Sequence, residues 1–113
     1  MSLNKLQKLK CSACSEKTSK LKNLEINENL KNLKNWNVND EKKMIFKKFI
    51  FSNFKNPLKF ANSIGEISDL EGHHPDVSVG WGYCIVMIHT HAINGLSIND
   101  FILASKIDLL KFN

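Results

Sequence analysis

The run "YCIVMIHTH" at residues 83–91 constrains this 113-residue chain more than any other feature. Tyr83 to Ile88 is unbroken apolar sequence, β-branched and aromatic in character, and far too short to span a bilayer. It reads as a strand buried on both faces, which a helical layer must cover. Just upstream, residues 76–79 ("DVSV") form a second, shorter strand, and Gly80, Trp81 and Gly82 mark a bend or bulge between the two. Two strands joined so tightly pair as an antiparallel hairpin.

The rest of the chain supplies the cover. Leu21, Leu24, Ile26, Leu30 and Leu33 recur at spacings of three and four, predicting an amphipathic helix that ends near Asn35. A short strand around Trp36 follows, then a turn at residues 39–41 and a strand over residues 44–51. Asn53 or Asn56 caps the next helix, with Pro57 in its first turn. Phe54, Leu58, Ala61, Ile64, Ile67 and Leu70 form its predicted buried stripe, and the helix ends at "EGHHPDV", residues 71–77. After a turn at residues 92–95, Ser97 caps a last helix, with Asp100 three residues on as a partial capping box. The order α-β-β-α-β-β-α predicts an α+β fold: one domain, a four-stranded antiparallel sheet and three helices packed on one face. Residues 1–20, polar and lysine-rich, are expected to be a mobile leader before a domain spanning residues 21–113.

Composition narrows the function classes. The formal charge is +5, yet all sixteen basic residues are lysine, and there are fourteen asparagines. A nucleic-acid groove more usually carries arginine interleaved with aromatics, so direct nucleic-acid binding is not expected. Residues 1–10 lack the apolar core of a secretory signal, and no membrane association is expected. Three cysteines form no even disulfide framework, which fits a reduced cytoplasmic protein, with a nuclear location also open. The "CSAC" pair, Cys11 and Cys14, lacks two further zinc ligands at matching spacing and reads as incidental.

The four histidines carry the chemistry. The hairpin places His73, His74 and Pro75 at the start of one strand beside His91 at the end of its neighbour. Imidazoles exchange protons near neutral pH, so such a cluster suits general acid–base catalysis. Against that stands a structural reading, in which "HH" is simply a polar helix terminus interacting with the dipole. On these residues alone the two readings are evenly balanced. A metal site is disfavoured: adjacent histidines rarely ligate one ion, although Asp69 and Glu71 add oxygen donors. His89 reads as a structural histidine. Trp36 and Trp81 fit the core, and Trp36 also admits a stacking role.

The spacing Asp69, three residues, His73–His74–Pro75, five residues, Trp81, nine residues, His91, eight residues, Asp100 resembles the signature of the pterin-4a-carbinolamine dehydratases. "NW" at residues 35–36, residues 46–60 and "GLSINDFILASKID" at residues 95–108 fit as well, so the similarity covers residues 24–108. The resemblance implies dehydration of 4a-hydroxytetrahydrobiopterin to quinonoid dihydrobiopterin, as in pterin recycling, with no metal or organic cofactor. It implies a homodimer or homotetramer, and the last helix presents a stripe to such an interface. Carried over by position, His73, His74 and His91 are the catalytic trio, with His73 acting on the hydroxyl. Pro75, Thr90, Ala92 and Ile93 fall on substrate-contacting segments, Asp69 on the acid supporting the first histidine, and Trp36 on the aromatic beside the pocket. Gly72 departs from members with an acid there, and "CSAC" has no counterpart. A rival role in the family is protein binding, as dimerisation cofactor of a homeodomain-type transcription factor.

Overall fold

The computed structural model describes residues 5–111. Its helices are α1 (Asn23–Leu30), α2 (Lys55–Glu71) and α3 (Ile98–Ile107), and its strands β1 (Asn37–Val38), β2 (Ile45–Ile50), β3 (Asp76–Gly80) and β4 (Tyr83–Ile88). The strands form one antiparallel sheet in the order β1-β2-β4-β3, so the strongest apolar run lies between two neighbours. The three helices cover one face, and the α+β architecture read from the sequence holds. Among the described residues no helix is long and apolar enough to cross a membrane.

Each face of β4 has its own environment. Cys84, Val86 and Ile88 are buried under the helices, whereas Tyr83, Ile85 and Met87 are half-buried on the opposite face. The expectation of burial on both faces is therefore corrected: one helical layer shields one face of a single sheet. The hairpin link is Trp81–Gly82, with Gly82 at a φ of 81° that an L side chain rarely adopts. The backbone N–H of Gly82 donates to Asn53 O and its carbonyl accepts from Phe51 N–H, tying the hairpin tip to the end of β2.

The N-cap of α2 is Phe54 rather than the expected Asn53 or Asn56, but Asn53 Oδ1, two residues before the helix, accepts the Asn56 N–H at 2.9 Å, with Pro57 in the first turn. Its buried face is Pro57, Phe60, Ile64 and Ser68, and from the expected stripe Ile64 is buried while Ala61 and Ile67 pack partly buried against the core. Phe54, Leu58 and Leu70 from that stripe are exposed, Leu70 by 75%, and Trp81, expected in the core, is exposed at the hairpin tip. The true stripe contains Ser68, whose hydroxyl donates to Ile64 O at 2.7 Å, so hydrophobicity alone cannot mark it. α1 is also shorter than expected, and turns carry the chain to Asn35. α3 runs through the core: residues 99–105 and Ile107 are buried, so no stripe of it is left for an interface.

Part of the segment expected to be a mobile leader packs on the domain. Leu6 and Cys11 are buried in the core. The Gln7 side chain donates to Ser105 O at 3.2 Å, and the Cys11 N–H to Glu71 Oε1 at 2.9 Å. Glu71 in turn pairs with Lys106 at 2.7 Å. Two apolar side chains, thinly spaced among lysines, suffice because α3 and the end of α2 offer partners that composition does not reveal.

Candidate active site

The site is built where α2 stops. Gly72 takes a φ of 68°, and its N–H closes the last turn on Ser68 O at 2.9 Å. Beyond this cap the chain extends towards β3, so the two following side chains turn opposite ways. His73 points inward and is 6% exposed, whereas His74 points outward with a side chain 62% exposed. The adjacent histidines are thus chemically distinct.

His73 meets α3. Its Nε2 donates to Oδ1 of Asp100 at 2.6 Å. Asp100 is fully buried, and its other oxygen accepts from Thr90 Oγ1 at 2.8 Å and from the Ser97 N–H at 2.9 Å. Since Thr90 spends its proton on Asp100, Ser97 Oγ donates to Thr90 Oγ1 at 2.8 Å. The carboxylate is fully satisfied, as burial of a charge requires. Asp100, expected as a capping residue and as the last position of the signature spacing, therefore both starts α3 and orients His73. That leaves Nδ1 as the ring nitrogen open to proton exchange, and it lies 3.5 Å from Cys14 Sγ.

β4 delivers the other imidazoles. The buried alternation of Cys84, Val86 and Ile88 continues to Thr90, and His89 takes the opposite side. A 3-10 turn over His91–Ile93 then interrupts the strand, closed by Asn94 in the left-handed region at φ 48°. The His89 and His91 rings meet with centroids 4.0 Å apart and Nε2 of His89 3.1 Å from Nδ1 of His91. One of those nitrogens donates and the other accepts, so the two tautomers are linked. Nδ1 of His74, Nδ1 of His89 and Nε2 of His91 have no hydrogen-bond partner among the described residues.

A cavity of about 330 Å³ is lined by His73, His74, Pro75, His89, His91 and Ala92, with Cys14, Gly72 and Asp76 completing its wall. The histidine trio, Pro75 and Ala92 are brought together as expected, but other site residues are not. Trp36 is buried, its indole N–H donating to Asp108 at 3.0 Å, and it stacks edge-on with Phe49. Asp108 lies eight residues after Asp100, roughly 12 Å along a helical rise, so Trp36 belongs to the opposite end of α3. Thr90 lies behind the wall, bonded to Asp100, and Ile93 does not line the cavity. Asp69 accepts from Nε2 of His74 at 2.9 Å, so it supports the second histidine rather than the first.

Sequence reasoning missed His89 and Cys14. The His89–His91 alternation was a usable signal, but Cys14 had none, because nothing local shows that residues 11–14 fold back on Asn99. Among the described residues no group of three or more His, Cys, Asp or Glu side chains is arranged to hold a metal ion.

The family model described as pterin 4 alpha carbinolamine dehydratase matches residues 19–110. The chain belongs to this family. A relative from Methylococcus capsulatus, provisionally named a pterin-4-alpha-carbinolamine dehydratase, is 49% identical over 75 residues, 66% of each chain. One from Rickettsia bellii with the same provisional name is 51% identical over 76 residues, 67% of this chain and 66% of its own. The matched stretch thus spans 66% of the length of these curated relatives. A crystal structure from Brucella melitensis, titled transcriptional coactivator/pterin dehydratase, has a TM-score of 0.75 at 27% identity, covering 80% of this chain and 96% of that one. The family membership covers the whole cavity except Cys14, which precedes the matched residues.

Proposed function

We propose that the protein dehydrates a pterin 4a-carbinolamine to the quinonoid dihydropterin and water by histidine acid–base catalysis. The observation that carries this reading is a single cavity lined by four imidazoles, one of them buried and oriented by a fully satisfied carboxylate. Loss of the 4a-hydroxyl requires a proton on the departing oxygen and removal of the proton on N5. Two separated imidazole environments suit those two tasks. His73, positioned by Asp100, serves the hydroxyl, while His74 and His91, more exposed and with free ring nitrogens, bind the pterin and exchange the N5 proton. Pro75 and Ala92 contribute the cavity wall between them, and Thr90 acts through Asp100. General acid–base catalysis of this kind supplies roughly 10²–10⁴-fold in rate.

The reading implies no metal or organic cofactor. Exposed Leu58, Leu70 and Trp81 support assembly as a homodimer or homotetramer, since a chain this size gains by burying them against a copy. A protein-binding role is favoured by one observation, the coactivator part of the Brucella melitensis structure's title. The two are separated by a spectroscopic assay with chemically generated 4a-hydroxytetrahydropterin. Acceleration above the spontaneous rate is expected. Folded protein that gives none overturns the enzymatic reading in favour of the binding one.

A further inference from the structure

We propose that Cys14 is part of this cavity as the proton relay of His73, carrying the imidazole's proton between Nδ1 and a bound pterin. The inference rests on the dehydratase reading above and adds a residue that precedes the family match.

The position of Cys14 is built into the fold. The Ser12 N–H donates to Asn99 Oδ1 at 3.0 Å and Asn99 Nδ2 donates back to Ser12 O at 2.8 Å. Asn99 is itself buried in the first turn of α3, beside Asp100. The Cys11 N–H is held by Glu71, so the segment is fixed at two consecutive residues just before Cys14. Asn99 Nδ2 also donates to Cys14 Sγ at 3.2 Å. The other acceptor in reach of the thiol, Ser12 O, lies at 4.0 Å, farther than His73 Nδ1 at 3.5 Å.

Asp100 makes the direction of transfer unambiguous. It holds the Nε2 proton, so only Nδ1 exchanges, and Nδ1 faces sulfur. His73 is nearly sealed off, while Cys14 is half-buried and lines the cavity. Sulfur therefore borders both the oriented imidazole and the space a pterin would occupy. The step starts from His73 protonated on both nitrogens, the second proton having been taken up from solvent: Nδ1–H passes its proton to Sγ as S–H gives its own to the 4a-hydroxyl. The C4a–O bond breaks, water leaves, and the N5–H proton goes to His74 or His91 as the N5 electron pair forms the C4a=N5 bond. The thiol ends as it began, His73 ends neutral, and nothing is oxidised.

The test uses the full-length native protein. Iodoacetamide at neutral pH should modify Cys14 alone, because burial pushes the Cys11 thiol up to about 12 and the Cys84 thiol up to about 11. With 7,8-dihydropterin at ten times its dissociation constant, alkylation should slow about tenfold. An unchanged alkylation rate with pterin bound overturns the proposal. Cys14→Ala should lower kcat about tenfold at unchanged KM, and Cys14→Ser, which keeps a donor and acceptor, should restore most of it. A Cys14→Ala variant that binds and turns over like wild type overturns the relay alone. Wild type that binds no pterin overturns the dehydratase reading and the relay with it.

Discussion

α3 carries an aspartate near each end, and the two do different work. Asp100, in the first turn, is sealed from solvent and shares its oxygens among His73, Thr90 and the Ser97 N–H. Asp108, just past the last turn, is partly open and binds Lys47 at 2.8 Å and the Trp36 indole. The partners decide the outcome. An imidazole can change its protonation as a reaction proceeds, whereas a lysine and an indole N–H stay donors throughout. One end of the helix thus suits chemistry, and the other fastens β2 and the residues before β1 to the core.

The comparison is broken most severely at the Asp100 end. His73→Ala should lower the dehydration rate by about 10²–10⁴-fold, read in the carbinolamine assay. A near-normal rate would move the chemistry to His74 and His91. Asp100→Ala would strand His73, Thr90 and the Ser97 N–H in a buried site, and should cost about 3–5 kcal/mol in urea unfolding. At the other end, Asp108→Ala should cost about 1–3 kcal/mol by the same measurement and leave kcat unchanged. Trp36→Phe keeps an aromatic ring but loses the indole N–H and part of the buried volume, so about 1–3 kcal/mol of stability and no activity should be lost. A rise in KM there would restore Trp36 to the pocket.

The smallest expected effect concerns the carboxylate that anchors the chain's beginning. Burial works to raise the Glu71 carboxyl, but Lys106, the Cys11 N–H and Lys10 outweigh it, and its pKa falls below the ordinary 4.5. A lowered carboxyl contributes stability above its unfolded pKa and loses it as pH falls through the folded one. The melting temperatures of wild type and Glu71→Gln should therefore differ most near neutrality and converge below pH 4.5.

The same contrast separates what was legible from what was not. β4 and its hairpin could be read because an unbroken apolar run between glycines is a local signal. The α2 face was read only in part, through Ala61, Ile64 and Ile67, because Ser68 and Pro57 take places that leucines would advertise. His73, His74 and His91 were found by spacing, yet the pairing of Asp69 with His74 depends on the left-handed Gly72 turning two neighbours apart. Trp36 carried the expected identity but an unexpected address, since a residue before β1 reaches whichever end of α3 the sheet order puts beside it.

The sequence by itself determined the order of elements, the antiparallel hairpin and the family, because these depend on apolar periodicity, glycine placement and residue spacing along the chain. Only the tertiary structure decided which carboxylate holds which histidine, that His89 joins His91, and that Cys14 comes to rest on His73. Those contacts join residues up to 59 positions apart. The contacts to His73 and Cys14 exist because Asn99 and Asp100 are buried in the first turn of α3, so their polar groups must find partners from whatever segment packs against them.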